Sequence, residues 1–370
     1  MVMRYCVRCV MPNTKPGVTI DADGVCSACR SNEEKRQIDF GTRAEELSAL
    51  ANEVRGSNGN GYDCVIPVSG GKDSTYQVWM MAKVHRLRCV AICVAPHIPT
   101  EEGIHNLNNI VIGLNTDLIK LTVRPEAFRD IRRKCFLQKG EPNWAEHLVI
   151  FAGVARIAMM YRAPLIVWGE DIAAEFGGSG GGKRIASADE IVKNDLIKDA
   201  KLSSLFDDRI TERNTYFYQH PEISQLRERK VRSIYLGHYD WWDGYKNFLK
   251  AREVGFRARA LGPLAGNLID YDNIDEKLCE INIWFKFLKF GFWRPTDQAC
   301  YRIWNDAMSR EQAVKLVREK QYEFPREYLH EFLEFHRLSE SEFWQTVDVF
   351  RNRDLWEKKR GEWRLKVELQ

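Results

Sequence analysis

No stretch of this chain approaches the roughly 18 uninterrupted apolar residues that a membrane-spanning helix needs. The opening Met1-Val2-Met3-Arg4-Tyr5-Cys6 has no apolar block of the kind that marks a secretory signal, so the expected location is cytoplasmic. An excess of one charge is also missing. The 55 basic and 52 acidic residues leave a formal charge of +3, too even for a broad nucleic-acid surface. Neither nucleic acid nor a membrane is therefore expected as a partner. The basic run Arg129, Arg132, Arg133 and Lys134 is expected on a solvated helix face. The remainder, 370 residues of which 44% are hydrophobic and 29% charged, is globular in composition and long enough for about two domains.

Ten cysteines in a reducing compartment are free thiols or metal ligands, so their spacing matters more than their number. Cys6 and Cys9 form one C-x2-C pair, and Cys26 and Cys29 form a second after sixteen intervening residues. Each pair can clasp one side of a tetrahedral ion. Four thiolates close the coordination sphere and leave no open position for chemistry, which makes the role structural. Zinc is the expected metal, although an iron–sulfur cluster would accept the same four ligands. Pro12, Pro16, Gly17 and Gly24 make the intervening segment turn-rich, as suits a module too small to build a core of its own.

A polar helix is expected over Asn32 to Val54, and Gly56 to Gly61 is a Gly/Asn-rich linker. From Tyr62 onward, short apolar runs alternate with amphipathic stretches. Strands are expected over Asp63–Val68, Arg88–Val94, Asp117–Thr122, Leu165–Trp168 and Val231–Leu236, with helices between them. Continuous apolar strands separated by helices predict an α/β fold, a doubly wound parallel sheet covered on both faces. Beyond Asn273 the pattern is helical. The expected regions are 1–55, a metal module and helix; 62–270, the α/β domain with an insertion around 172–230; and 271–370, a helical C-terminal region.

The first strand stops at Ser69-Gly70-Gly71-Lys72-Asp73-Ser74 and runs into a helix. Two glycines let the backbone approach an anion, and the helix aims unpaired N–H groups and its positive dipole end at the same point. Ser69 and Ser74 add hydroxyls, and Lys72 adds a full charge. The spacing is not that of a Walker A loop. It resembles the SGGxDS motif of the PP-loop ATP pyrophosphatases, which cleave ATP between the α and β phosphates and leave AMP on a substrate oxygen.

Ligands of doubly wound sheets sit beyond the carboxyl ends of the strands. By that rule Val94 could present backbone groups to adenine, while Gly169, Glu170 and Asp171 end the later strand beside the cradle. Gly177 to Gly182 could form a lid or a plain flexible loop. Its G-x-x-x-x-G-K spacing leads to Arg184, where a Walker loop needs Ser or Thr. Trp241 and Trp242 could stack on a sugar or base, or lie in the core.

The wider chain resembles the N-acetyl sugar amidotransferase family of bacterial surface-polysaccharide (lipopolysaccharide O-antigen) and nonulosonic-acid biosynthesis. The matching residues are Tyr5-Cys6-Val-Arg-Cys9-Val-Met-Pro12, Gly24-Val-Cys26-Ser-Ala-Cys29, Ser69 to Ser74, Trp168-Gly169-Glu170, Glu175-Phe176-Gly177-Gly178 and Lys289-Phe-Gly291-Phe. The resemblance implies ATP-dependent conversion of the acetamido group of a nucleotide-linked (UDP-) N-acetyl sugar into an acetamidino group. The cradle and the strand-end rule make Lys72, Asp73 and Glu170 the catalytic candidates. Ser69, Gly70, Gly71, Lys72, Asp73, Ser74, Val94 and Gly169 would hold ATP and pyrophosphate, with Mg2+ as the accompanying ion.

Glutaminase equipment is absent from the sequence: residue 2 is Val2, and no cysteine sits in a G-x-C-x-G elbow. Glutaminase and cyclase-like subunits are the implied source of ammonia. The alternative is a PP-loop tRNA-modifying enzyme, a thiolase or lysidine-type ligase. Thiolation would need a reactive cysteine such as Cys135 or Cys300. Arg252, Arg257 and Arg259 are guesses for contacts to a nucleotide diphosphate.

Overall fold

The computed structural model describes residues 2–171, 175, 187 and 202–370. The helix expected over Asn32–Val54 is two helices, α1 (Ser27–Lys35) and α2 (Phe40–Val54). The break has a local cause. Asp39 accepts the Gly41 and Thr42 N–H groups, and an N-cap of that kind starts a new helix.

The elements that follow are β1 (Cys64–Pro67), α3 (Lys72–Val78, continued by a π-helical turn over Trp79–Val84), β2 (Cys89–Val94) and α4 (Glu101–Ile112). Next come β3 (Asp117–Leu121), α5 (Pro125–Lys139), α6 (Trp144–Tyr161) and β4 (Leu165–Trp168). All five strands of the sheet are parallel, in the order β3-β2-β1-β4-β5, where β5 is Arg232–Tyr235. The chain winds one way from β1 to β3 and the other way from β4 to β5. The reversal lies between β1 and β4, which is where a doubly wound sheet opens a crevice for ligands.

Strand periodicity sends alternate side chains to opposite faces. Val65, Val90, Ile92 and Ile166 pack on one side under α5 and α6, while Cys64, Ile66, Ala91, Leu165 and Val167 pack on the other. Both faces being covered is why these strands are continuously apolar. Edge strand β3 departs from this, and it carries exposed Asp117 and Lys120, which discourage pairing with another chain.

Residues 202–230 contain short 3-10 turns and the helix α7 (Ile223–Glu228), with no strand. The proposed lid, Gly177 to Gly182, lies outside the described residues. After β5 come α8 (Leu236–Tyr239), α9 (Gly244–Glu253), α10 (Cys279–Phe290), α11 (Arg294–Trp304), α12 (Arg310–Lys320), α13 (Leu329–His336) and α14 (Glu340–Phe350). The C-terminal region is not helical throughout. It ends in an antiparallel hairpin, β6 (Trp356–Lys359) and β7 (Glu362–Leu365), turned by Arg360 and Gly361 at φ 52° and 87°. Two left-handed residues in succession make a turn whose twist matches the flanking strands.

A third correction concerns the basic run on α5. Arg132 is buried, donating to Glu146 at 3.0 Å and Asn143 at 2.7 Å. Its planar fork suits a buried pair with two acceptors, so only part of the run is a solvated face.

Candidate active site and four-cysteine centre

The cradle sits at the sheet reversal. Gly70 has φ +92°, and a Cβ there would lie 3.0 Å from the Gly103 carbonyl oxygen at the start of α4. Only glycine satisfies both the backbone angle and that approach. Gly71 is the N-cap of α3 and gives it no side-chain cap, so first-turn N–H groups stay open to an anion. Ser69 Oγ accepts the Gly71 N–H at 3.1 Å, which tightens the bend. The Ser74 hydroxyl donates to the Gly71 carbonyl at 3.1 Å, so it must turn away from the backbone before it can donate to a ligand.

Lys72 is largely buried. Its ammonium donates to Asp73 at 2.9 Å and to Asp272. Burial alone would drive its proton off, but Asp272 and then Asp73 outweigh that effect and raise its pKa above the ordinary value. Asp272 keeps a lowered pKa despite burial because Lys72 and Arg294 stand beside it. Asp73 does not cap its helix. Its second oxygen accepts from Asn247 Nδ2 of α9 at 2.9 Å, so the carboxylate ties α3 to α9.

Across the reversal, Gly169 and Glu170 end β4. A Cβ on Gly169 would displace the Gln77 amide of α3 and lie 3.1 Å from the Trp242 ring, so α3 packs closely on this strand end. Glu170 is partly buried, and its pKa is raised to about 7, first by burial and then by the neighbouring Asp73 charge. A carboxyl group that changes charge near neutrality at a strand end is suited to acid–base work. Val94 ends β2 in register with Leu121, at the carboxyl edge of the sheet as anticipated.

Of the other expected contacts, Trp242 is core, nearly perpendicular to Tyr76 at 6.0 Å, while Trp241 keeps partial exposure. Arg259 is committed to the Gly262 carbonyl and to Glu327, and Arg252 lies over Phe248. Cys135 and Cys300 are fully buried, and burial pushes the Cys135 thiol up to about 12. Asp272, Asn247, Gly244 and Tyr301 also belong to the site, and no motif marks any of them. Gly103, against Gly70, had a weak signal as a glycine in the first turn of a helix.

The four cysteine sulfurs all lie within 4.8 Å of one another and are buried. Cys6 and Cys29 are 3.8 Å apart, and Cys9 and Cys26 are 3.6 Å apart. Four sulfurs at about 2.3 Å from one zinc ion would be separated by about 3.8 Å, so the set fits a single tetrahedral ion. An iron–sulfur cluster, with a larger core between its ligands, would spread them further. Backbone N–H groups of Arg8, Met11 and Cys26 and the Trp304 indole point at the sulfurs at 3.2–3.4 Å, an outer shell that supports thiolate charge. The module does not stand alone. Its core is completed by Ala299, Cys300, Trp304, Ala313, Val317 and Leu369 from the C-terminal helices and tail.

The family model of the LPS biosynthesis protein WbpG-like C-terminal domain matches residues 245–370. No curated protein gives a significant match. Among solved structures, the NMN synthetase from Francisella tularensis is similar over 61% of this chain and 99% of its own, at 16% identity and a TM-score of 0.29. At that score the likeness adds nothing to the topology described above. Among the described residues no helix is long and apolar enough to cross a membrane.

Proposed function

We propose, from the premise that the C-terminal third of this chain is a WbpG-like domain of LPS biosynthesis proteins, that the chain is an ATP-dependent amidotransferase acting on a nucleotide-linked N-acetyl sugar. The observation that carries the reading is the Ser69 to Ser74 bend at the sheet reversal, with a lysine held by two aspartates and Glu170 on the opposite strand end.

The acetamide oxygen of the sugar attacks the α-phosphorus of ATP, and pyrophosphate leaves. Charge then develops on the pyrophosphate oxygens, where Lys72 and the open N–H groups of α3 are already oriented. Preorganised donors of this kind lower the barrier because they need no reorganisation during reaction. AMP on the former acetamide oxygen makes a good leaving group, so ammonia adds to the imidate carbon and expels AMP to give the amidine. Incoming nitrogen arrives as ammonium at neutral pH and must lose a proton. Glu170, whose proton comes off near neutrality, takes it. Mg2+ would accompany the triphosphate and take oxygen ligands, for which Asp73 is the carboxylate at hand. Zinc at Cys6, Cys9, Cys26 and Cys29 would be structural.

Ammonia would come from a glutaminase with a cyclase-like subunit, and free ammonium should replace it in vitro. The test is incubation with ATP, Mg2+, ammonium and a panel of UDP-N-acetyl sugars. Release of AMP and pyrophosphate that depends on one of the sugars supports the assignment. Release stimulated by tRNA, or formation of ADP and inorganic phosphate, overturns it.

A further inference from the structure

The metal-bearing helix α1 reaches the ATP site. Cys26 caps it and Cys29 lies in its first turn. Residues three apart on a helix share a face, so Asn32 and Lys35 follow Cys29 along one stripe. Lys35 is 1% exposed, and its ammonium makes two charge-assisted contacts: 2.6 Å to the Trp242 carbonyl and 3.0 Å to Glu175, which is equally buried. It also lies 4.8 Å from the Trp241 ring centroid. Asn32 Nδ2 reaches the Glu175 carbonyl at 3.4 Å.

Two arms run from Lys35 into the site. Through Glu175, whose N–H donates to the Asp171 carbonyl at 2.9 Å, it holds the residue next to Glu170. Through Trp242 it holds the turn leading to α9: the Tyr301 hydroxyl donates to the same carbonyl at 3.1 Å and accepts the Gly244 N–H at 3.1 Å. Gly244 packs directly on Lys72, since a Cβ there would stand 3.3 Å from Lys72 Cε. The contacts from thiolate to catalytic ammonium are therefore continuous.

We infer that Lys35 is a positioning residue that couples the four-cysteine metal module to the ATP cradle, so that metal occupancy and ATP binding reinforce each other. An apolar pair could fill the same volume without the cost of burying two charges. A buried ion pair with satisfied hydrogen bonds instead fixes one register of the elements it joins. Coupling of this kind is reciprocal by thermodynamic necessity. The inference rests on the proposed ATP site, although it needs no sugar substrate to be tested.

The experiment uses the zinc-loaded chain and measures Mg-ATP affinity by calorimetry and zinc release to a chelator with and without ATP. In the wild type, ATP should slow zinc release several-fold. Lys35→Met should keep full zinc content, lose roughly tenfold or more in ATP affinity, and release zinc at a rate indifferent to ATP; Lys35→Arg should recover part of both. Tyr301→Phe leaves every charge in place and should weaken ATP binding about threefold, which decides the matter if Lys35→Met does not fold. Unchanged ATP affinity in Lys35→Met and Tyr301→Phe, or wild-type zinc release that ignores ATP, overturns the coupling. A wild type that binds no ATP overturns the proposed ATP site itself, and the coupling with it.

Discussion

The ammonium of Lys72 lies between Asp73, 2.9 Å away, and Asp272, its partner across 200 residues of chain. The first partner comes from the cradle itself and the second from the loop before α10, so one charge joins two distant parts of the sequence. Phosphate oxygens entering the site would meet a lysine already charged and already oriented.

Removing that charge should remove adenylylation. Lys72→Ala is expected to lower sugar-dependent pyrophosphate release by about 10²–10³-fold, the usual effect of deleting one preorganised charge donor. Zinc content should be unchanged, because the four sulfurs keep their own packing and outer-shell donors whether or not the lysine is present. Pyrophosphate assay and metal analysis of the same preparation check both halves.

Asp272→Ala strands a buried cation with one partner. Breaking a buried pair typically costs about 3–5 kcal/mol, here moderated by Asp73, so a fall of several degrees in Tm and at least a tenfold drop in turnover are expected. Asp272→Asn keeps the volume and should be milder in both. Thermal melting and steady-state kinetics on the pair separate lost charge from lost packing.

Glu170 gives a pH signature. Its folded carboxyl holds a proton up to about 7 against 4.5 ordinarily, so the native state binds more protons between those values. The stability from that proton is complete below 4.5 and is lost as pH rises through about 7. Glu170→Gln stays neutral, so its advantage over wild type should grow across that window to roughly 2 kcal/mol, discounted for solvent reaching the side chain. Amidation by the variant should fail while pyrophosphate release persists. Denaturant melts at pH 5 and pH 8 and a product assay read these outcomes.

Gly70→Ala should cost about 1–2 kcal/mol from the left-handed backbone alone, with further loss from contact with the Gly103 carbonyl. ATP affinity should fall more than stability does. Calorimetric titration beside a melting curve distinguishes the two.

Removing zinc should loosen the region around α11 and α12 as well as the N-terminal loops, because Ala299, Trp304, Ala313 and Val317 share the core around the sulfurs. Chelation should lower the Tm and change the emission of Trp304, whose indole donates to Cys29 Sγ. Trp304→Phe is the control that assigns the signal.

The strands, the cradle and the cysteine pairs were legible because each is written locally, in runs of four to eight residues whose period or spacing has one good structural solution. The split at Asp39 was missed: an aspartate is a common helix N-cap, but an overall polar pattern hid it. The C-terminal hairpin left a faint trace in Arg360-Gly361 between short strands with little apolar alternation. The site's second half had no trace at all. Asn247 meets Asp73 across 174 residues and Lys35 meets Glu175 across 140, and nothing local distinguishes these side chains from solvated ones. Pairings of that range are decided by the packing of whole elements.

Gly103 has a backbone neighbour on either side: the cradle's Gly70 and the Asp275 main chain, three residues beyond Asp272. With no side chains between them, these three strips of polypeptide act as a spacer of fixed thickness. The approach of the cradle to the segment that carries Asp272 is thus set by backbone contact. Even a single methyl group added at Gly103 would collide with the Asp275 main chain and push that segment outward.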